Sequence, residues 1–384
     1  MTLAFIDKAS GESSRLFESD YAGKREFLSE NAVKQMIAIE RKRTERSKEP
    51  FLLMLLEAGH LQGSGNNRSA FDSVVSSLLT NTRETDIVGW YTDRTTVCAI
   101  FTGLGENDRN SILSTILSRV SSTLRDQLTS DQFGQVRISF HFYPDDWDHE
   151  DSGRPSNPAL YPDLLRLNNA KRPMLVAKRL MDIAGSALML ILGAPFLVII
   201  ALAIKSSSKG PVLFRQYRIG QFGKKFTFLK FRSMRFGNDH SIHKEYVTSL
   251  IANQGVSRKT NHTGEGVYKL TNDNRVTAVG RFLRRTSLDE FPQFLNVLKG
   301  DMSLVGPRPP IPYELEAYQT WHRRRVLDVK PGITGLWQVT GRSRVTFDEM
   351  VRLDLRYATA WSPMLDFIIL MRTPFAVIKG AGAY

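Results

Sequence analysis

The chain has 384 residues, of which 42% are hydrophobic and 24% charged, a composition that excludes a disordered or fibrous protein and predicts two domains. A formal net charge of +13 favours an anionic partner: nucleic acid, a membrane surface or a phosphorylated substrate. The single cysteine, Cys98, excludes an internal disulfide and a paired-cysteine metal site, and it fits a reducing compartment.

The first 150 residues predict alternating helices and strands. They start with no apolar run of secretory length, so we expect no signal peptide. The pattern then predicts a charged helix (24–47), an apolar strand (within 50–61), a helix (69–84), a hairpin (86–103), a helix (107–128) and a strand (136–146). This alternation indicates an α/β domain with helices packed on one sheet.

The order of these elements resembles a GGDEF-type nucleotide cyclase domain. The likeness runs from FLLMLLEAGHL through TRETDIVGWYTDRTTVCAIF to VRISFHFY. The hairpin that names that family reads WYTDRT here, without the paired glycines or the acidic pair, and Glu57 stands where the family has metal-binding aspartates. The resemblance therefore implies a degenerate GGDEF-like cytosolic domain at 1–150, a sensor or dimerisation module that could form a homo-oligomer.

A stretch rich in turn formers and acids, 143–163, predicts a linker between the two halves. We place the linker at 151–170 and a membrane-associated domain at 171–384. Within the second domain, Ile183 to Ile204 are 22 residues without a charge, long enough to cross a bilayer as a helix. A buried core helix is the alternative for so long an apolar run.

Basic residues flank both ends of this apolar segment, and such residues mark the cytoplasmic side. Pro195 removes a helical hydrogen bond near the middle. These features predict a re-entrant membrane helix over 174–204 that breaks at Ala194 and Pro195 and returns to the same face. A straight crossing stays open as the alternative.

An acid pair, Asp289 and Glu290, follows two arginines in RRTSLDEFPQF. The helix dipole and Arg284 or Arg285 should keep Asp289 ionised, as a carboxylate nucleophile in phosphoryl chemistry requires. The alternative is a capping box between Ser287 and Glu290, but Pro292 fits badly inside a helix capped there.

Three further segments carry candidate contacts. The hairpin pattern at 210–234 interleaves apolar and basic residues and suits lipid headgroups or a diphosphate, although a solvated hairpin would look similar. In GPRPPIP, prolines hold Arg308, whose guanidinium can fork onto a phosphate. The glycines at 329–343 allow close approach to a ligand, as they would in a structural turn. The last apolar stretch, 362–384, predicts an interfacial helix with Ser362 as N-cap.

These elements, in this order, closely resemble the bacterial sugar transferase family. The segments that carry the resemblance are KRLMDI, KFRSM, TSLDEFPQFLNVLKGDMSLVGPRP, KPGITGLWQVTGR and LDLRYA, over roughly half of the chain from Lys178 to Tyr384. Members of this family are monotopic phosphoglycosyl transferases that start exopolysaccharide and glycoconjugate assembly. The resemblance implies a mainly α catalytic domain with a re-entrant helix-break-helix and interfacial helices.

The resemblance also implies roles for individual residues. Asp289 matches the nucleophile and Glu290 its partner in the catalytic dyad, and both are expected to hold Mg²⁺. Asp354 and Tyr357 match a shared pair without an assigned role. Substrate or phosphate binding is expected for Arg284, Arg308, Lys230, Gln338 and Arg342.

The implied reaction has two steps. Asp289 takes the sugar-1-phosphate from a UDP-sugar and releases UMP, and polyprenyl (undecaprenyl) phosphate then accepts the phosphosugar. The expected location is the cytoplasmic face of the bacterial inner membrane, in contact with its lipids. A tethered signalling receptor would account for the N-terminal half alone. A nucleic-acid binder would leave the apolar segment unexplained, so we expect no nucleic-acid partner.

Overall fold

A computed structural model of the chain describes residues 27–57, 72–105 (without 73 and 77), 108–145, 156–164, 172–235, 251, 275–341 and 345–378. These residues fall into two compact units. The first unit runs to Asp145 and takes in Ala159–Asp163, and the second contains the rest. Part of the predicted linker therefore belongs to the first unit, and the limits given above for the domains stay predictions.

The first unit is a four-stranded antiparallel sheet with helices packed against it. In the sheet order β2-β3-β1-β4, the strands are β1 (Phe51–Glu57), β2 (Ile87–Thr92), β3 (Thr96–Phe101) and β4 (Arg137–Tyr143). The helices of this unit include α1 (Glu30–Ser47), α2 (Arg109–Gln127) and α3 (Ser130–Gln135). Residues 51–56 of the central strand are all buried, so both faces of β1 are covered. The predicted mixed α/β character of this half is confirmed.

The first helix begins later than predicted. Ser29 is its N-cap, and the hydroxyl of Ser29 accepts a hydrogen bond from the backbone N–H of Ala32 at 3.4 Å. A capping serine adopts extended backbone and so fixes the start of the helix at Glu30. Residues 24–26 of the predicted helix lie outside the described residues.

The second unit contains a long apolar helix, α4 (Arg172–Ser207). It is the one helix of the described residues that is long and apolar enough to cross a membrane. Only 11% of the most apolar 18-residue stretch of this helix is buried. The side chains of Ile191 and Phe196 are 72% and 66% exposed. A buried core helix is therefore excluded. The helix is continuous across Pro195, and the re-entrant break at Ala194 and Pro195 stays a prediction.

The rest of the second unit is built from two small sheets and short helices. The hairpin of β5 (Leu213–Ile219) and β6 (Lys225–Phe231) is antiparallel, as predicted, and β7 (Ser303–Val305) pairs in parallel with β8 (Gly332–Thr334). The helices are α5 (Ala278–Thr286), α6 (Gln293–Lys299), α7 (Pro312–Glu316), α8 (Thr320–Leu327), α9 (Leu336–Thr340), α10 (Phe347–Ala360) and α11 (Pro363–Ile378). The last helix begins as predicted, with Ser362 Oγ accepting from the Leu365 N–H at 3.2 Å.

A buried polar network fastens the start of α4 to the rest of this unit. Lys178 Nζ donates to Asp366 Oδ2 at 2.6 Å and to the Val305 carbonyl at 3.1 Å. The hydroxyl of Tyr357 donates to Asp366 Oδ1 at 2.6 Å. The next residue, Arg179, donates to two carbonyls at the C-terminal end of α6. Tyr357, which the sequence left without a role, therefore helps to join α10, α11 and the apolar helix.

Candidate active site

The acid pair lies on a short 3-10 turn, Leu288–Glu290, between α5 and α6. Ser287 adopts a left-handed conformation (φ 57°) that ends α5, and its side chain makes no capping hydrogen bond. The capping-box alternative is therefore wrong. Pro292 occupies the N-cap position of α6, where its missing N–H breaks no helical hydrogen bond. The chain thus turns at Ser287, and the two consecutive carboxylate residues follow on helical backbone that leads into α6.

Lys230 on β6 contacts Asp289. Its Nζ lies 3.3 Å from Asp289 Oδ2, and Asp289 is only 5% exposed. The sequence predicted Arg284 or Arg285 as the partner. The Arg284 Nε donates to the hydroxyl of Ser233 at 2.9 Å, so α5 is tied to the KFRSM segment. The hairpin and the 3-10 turn therefore build the site together.

Several charges surround Lys230. Burial lowers the pKa of Lys230, the charge of Asp289 opposes this, and Arg284, Glu290 and Arg308 also act on it through their fields. The structure therefore brings five of the predicted residues into one electrostatic neighbourhood. Opposite charges held this close and partly out of water interact strongly with a charged substrate.

Hydrogen bonds fix the backbone of the loop that carries Arg308. Four consecutive carbonyls, from 307 to 310, accept hydrogen bonds from Gly332 N, Arg325, Arg218 and Ile219 N respectively. Arg308 is the one exposed residue between Met302 and Ile311. The guanidinium of Arg308 forms no hydrogen bond or ion pair with any of the described residues. This arrangement presents a cation on a fixed backbone, as bidentate phosphate recognition requires.

Arg218 is a site residue that the sequence identified only as a flanking positive charge. It is buried, donates to the Pro309 carbonyl at 2.6 Å, and lies over the ring of Phe228 at 4.6 Å. Burial, together with the repulsion from Arg308, lowers the pKa of Arg218 to about 10. The alternation of β5 and β6 is the signal that could have found it, since residues two apart on a strand share a face.

The site adjoins the apolar helix. Phe291, directly after Glu290, packs so closely on Gly193 that a Cβ at Gly193 would lie 2.8 Å from its ring. Gly193 immediately precedes Ala194 and Pro195, where the sequence predicts the break. The acid pair is therefore fixed beside the middle of the helix whose outer side chains are exposed and apolar.

Asp354 forms a buried ion pair with Arg325 at 2.7 Å. Burial raises the pKa of Asp354 to about 6, against the opposing charge of Arg325. The pair joins Arg325 Nη2 to Asp354 Oδ2, and both side chains are almost fully buried. Arg325 also donates to the Arg308 carbonyl, so a chain of contacts joins Asp354 to the Arg308 loop.

Two predicted binding residues are not joined to this cluster by any described contact. Gln338 donates to the Ile333 carbonyl at 3.2 Å, within its own turn. Arg342 lies outside the described residues. The glycines around them serve the structural turn, because a Cβ at Gly332 would lie 2.0 Å from Gly306 N. Ligand contacts by Gln338 and Arg342 stay predictions.

The donor set suits Mg²⁺, which is commonly held by one or two carboxylates together with substrate phosphate oxygens. Asp289 and Glu290 supply two adjacent carboxylates of this kind. No cluster of three or more His, Cys, Asp or Glu side chains that could hold a metal occurs in the described part of the chain. A site of this composition needs the substrate to complete its coordination.

Gly280 allows α5 to approach the KFRSM segment. A Cβ there would lie 1.9 Å from the Ser233 carbonyl oxygen. We expect Gly280→Ala to lower the free energy of unfolding by about 1–3 kcal/mol through overpacking. Gly134→Ala is the control, since nothing lies within 4 Å of a Cβ at this helical position. Equal thermal unfolding midpoints for the parent and both variants would contradict the close packing at Gly280.

Comparison with known proteins gives the family. The bacterial sugar transferase family model matches residues 173–380, more than half of the chain. Galactosyl transferase CpsE of Streptococcus agalactiae is 45% identical over 54% of this chain and 44% of its own length. The undecaprenyl-phosphate galactose phosphotransferase of Salmonella typhimurium is 43% identical over 58% and 45%. The exopolysaccharide production protein ExoY of Rhizobium meliloti is 37% identical over 54% and 88%.

The chain belongs to the bacterial sugar transferase family. It spans less than half of the length of the first two of these relatives. Among solved structures, a DGC protein from Thermotoga maritima is 16% identical over 32% of this chain and 85% of its own, with a TM-score of 0.25. A score this low does not define a shared fold, so the GGDEF-like assignment stays a prediction.

Proposed function

We propose that this protein transfers a sugar-1-phosphate from a UDP-sugar to polyprenyl phosphate through a covalent aspartyl-phosphosugar intermediate. The observation that carries the proposal is the contact of Asp289 with Lys230, within the electrostatic reach of Arg284 and Arg308 and beside an exposed apolar helix. The family membership supports it, as does the Salmonella relative, which is named for galactose phosphotransfer on undecaprenyl phosphate.

In the first step, an Asp289 carboxylate oxygen attacks the sugar-bearing phosphorus of the UDP-sugar. The bond from that phosphorus to the bridging oxygen breaks, and UMP leaves with the electron pair. Lys230 orients Asp289, while Arg308 and Arg284 offset negative charge on the phosphoryl oxygens. Stabilising charge in this way is the main task of a protein in phosphoryl transfer.

In the second step, a phosphate oxygen of polyprenyl phosphate attacks the same phosphorus and Asp289 leaves as a carboxylate. The product is a lipid-linked diphosphosugar. The contact between Phe291 and Gly193 keeps Asp289 beside the apolar helix, where a lipid phosphate can reach it. Glu290 is half-buried, and together with Asp289 it would hold Mg²⁺, which neutralises phosphate charge when bound.

The direct test is UMP release. Membranes or nanodiscs that contain the full chain are incubated with Mg²⁺, undecaprenyl phosphate and each member of a panel of UDP-sugars. We expect UMP release with at least one sugar and a lipid-linked diphosphosugar as product. No UMP with any sugar, from a correctly folded and membrane-bound preparation, would exclude the proposed reaction.

Removal of divalent metal should stop the reaction. We expect EDTA to lower UMP release by at least about 10²-fold, because the metal offsets charge that Lys230 and the arginines only partly balance. Added Mg²⁺ should restore the rate, and thermal unfolding without substrate should change little, since the proposed coordination includes the substrate. Full activity in excess chelator would remove Mg²⁺ from the proposal.

We also propose that α4 enters the bilayer from the cytoplasmic face and returns to it, with α11 in the interface. Four exposed apolar residues of α11 support this placement: Met364, Phe367, Met371 and Phe375. Cysteines introduced at 172 and 208 in a Cys98→Ala background should both react with an impermeant reagent from the cytoplasmic side. Labelling from opposite sides would establish a spanning helix instead.

A further inference from the structure

Gln293 is a buried polar side chain of the acid-pair segment that the mechanism above does not use. It is 2% exposed, and its amide nitrogen has no hydrogen-bond partner among the described residues. A buried hydrogen-bond donor without an acceptor destabilises a fold. Such a donor in a native structure therefore indicates that a bound molecule supplies the acceptor. Its position in the site indicates what that acceptor is.

The helical register places Gln293 on the same face as Asp289. The two residues are four apart, and the backbone between them is helical, with φ/ψ of −53°/−40° at Phe291 and −60°/−14° at Pro292. Side chains four apart on helical backbone are neighbours on one face, one turn from each other. Both side chains are buried, so this face is directed into the protein.

Contacts on either side of Gln293 show what that face meets. Asn296, three residues further on, accepts a hydrogen bond from the Leu229 N–H and donates to the Thr227 carbonyl. Asp289, at the other end, meets Lys230 of the same strand. On this helical segment, Gln293 is placed between two residues that both contact β6, one of which is the Asp289 of the Lys230–Asp289 pair.

We propose that Gln293 is a further substrate-binding residue, whose amide donates to a phosphoryl oxygen of the group that Asp289 receives. This proposal rests on the proposed function. A phosphoryl oxygen is a strong acceptor, and the surrounding lysine and arginines provide charge to attract it. A neutral amide orients the phosphoryl group and adds no positive charge that would repel Lys230. The substrate would also satisfy the donor that is unpaired in the free protein.

The test uses Gln293→Met, which keeps the length and approximate volume of the side chain but removes the donor. We expect the thermal midpoint of the ligand-free protein to stay equal or rise, because an unsatisfied donor is gone. We expect kcat/KM for the UDP-sugar to fall by about 10- to 100-fold, the range for one donor to a phosphoryl group. Gln293→Glu should fall further, because it adds a negative charge opposite the phosphate.

Gln221→Met is the matched control, since Gln221 is part-buried in the turn between β5 and β6 and its amide donates to the Asp328 carbonyl. Its kcat/KM should match that of the parent. If Gln293→Met stays within twofold of the parent, or if its midpoint and its activity fall together, Gln293 is a structural residue and the proposal is overturned.

A binding measurement separates this proposal from the proposed function. UDP should raise the thermal midpoint of the parent and of Gln221→Met, and should raise that of Gln293→Met markedly less. If the parent binds UDP but no UDP-sugar yields UMP, the proposed reaction fails while the binding role of Gln293 is still decided. An equal rise in all three proteins overturns the role of Gln293 alone.

Discussion

Asp289→Asn is expected to lower UMP release by at least about 10³-fold, because an amide oxygen cannot replace the carboxylate as nucleophile. The shape of the side chain is kept, and Lys230 can still donate to the amide oxygen, so the fold should persist. UMP release from the best UDP-sugar, with undecaprenyl phosphate present, measures the effect.

Asp301→Asn is the matched control for this variant. Asp301 follows the C-terminal end of α6 and forms no ion pair among the described contacts. UMP release by Asp301→Asn should therefore remain within about twofold of the parent. Mass spectrometry of parent enzyme quenched during turnover should find a phosphosugar on the peptide that contains Asp289. Turnover retained in Asp289→Asn, or an adduct on another peptide, would assign the nucleophile elsewhere.

The location of the candidate site could be predicted from local sequence because three of its charged residues cluster in one short stretch. Asp289, Glu290 and Arg308 lie within 20 residues of each other, and prolines mark where the backbone is stiff. The conflict between Pro292 and a helix capped at Ser287 was visible in the sequence, and the structure resolves it with two helices joined by a sharp turn.

The partners of these residues could not be predicted, because they come from distant parts of the chain. Lys230 is 59 residues from Asp289, and the sequence offered two arginines much nearer. Arg218 and Arg325 look like ordinary surface cations until the fold shows that each is buried on a carbonyl of the Arg308 loop. Periodicity identifies which side chains are buried, but tertiary contacts decide which atoms they meet.

The apolar segment shows the same division between what composition fixes and what it leaves open. Its length and lack of charge predicted a membrane helix, and its exposed side chains exclude a soluble core helix. Composition could not show that Lys178 and Arg179, which lie at the N-terminal end of this segment, fasten it to Asp366 and to α6. These basic residues therefore fix the position of the helix within the second unit.

Arg325→Met is expected to lower the free energy of unfolding of the second unit by about 3–5 kcal/mol at neutral pH. The change leaves Asp354, which is 1% exposed, as an uncompensated buried charge. It also removes the hydrogen bond to the Arg308 carbonyl, so UMP release should fall as well. Denaturant unfolding in detergent micelles and UMP release measure the two effects.

The pH dependence of this variant tests the cause of the loss. The pKa of Asp354 is raised by burial from 3.8 to about 6 in the folded protein, and removing Arg325 raises it further. A folded-state pKa above the unfolded value gives stability that is present at low pH and lost as pH rises through the folded pKa. The deficit of Arg325→Met should therefore be smaller at pH 5 than at pH 7.5. A deficit independent of pH would contradict an uncompensated carboxylate.

The double variant Arg325→Met, Asp354→Leu separates stability from positioning. With both charges replaced by apolar groups of similar size, most of the stability should return, since a buried ion pair contributes little beyond its own desolvation. The Arg308 carbonyl still lacks its donor, so KM for the UDP-sugar should stay raised while the fold recovers. If stability and KM both return to the parent values, the ion pair supports only the fold. If stability returns while KM stays raised, Arg325 sets the position of the Arg308 loop.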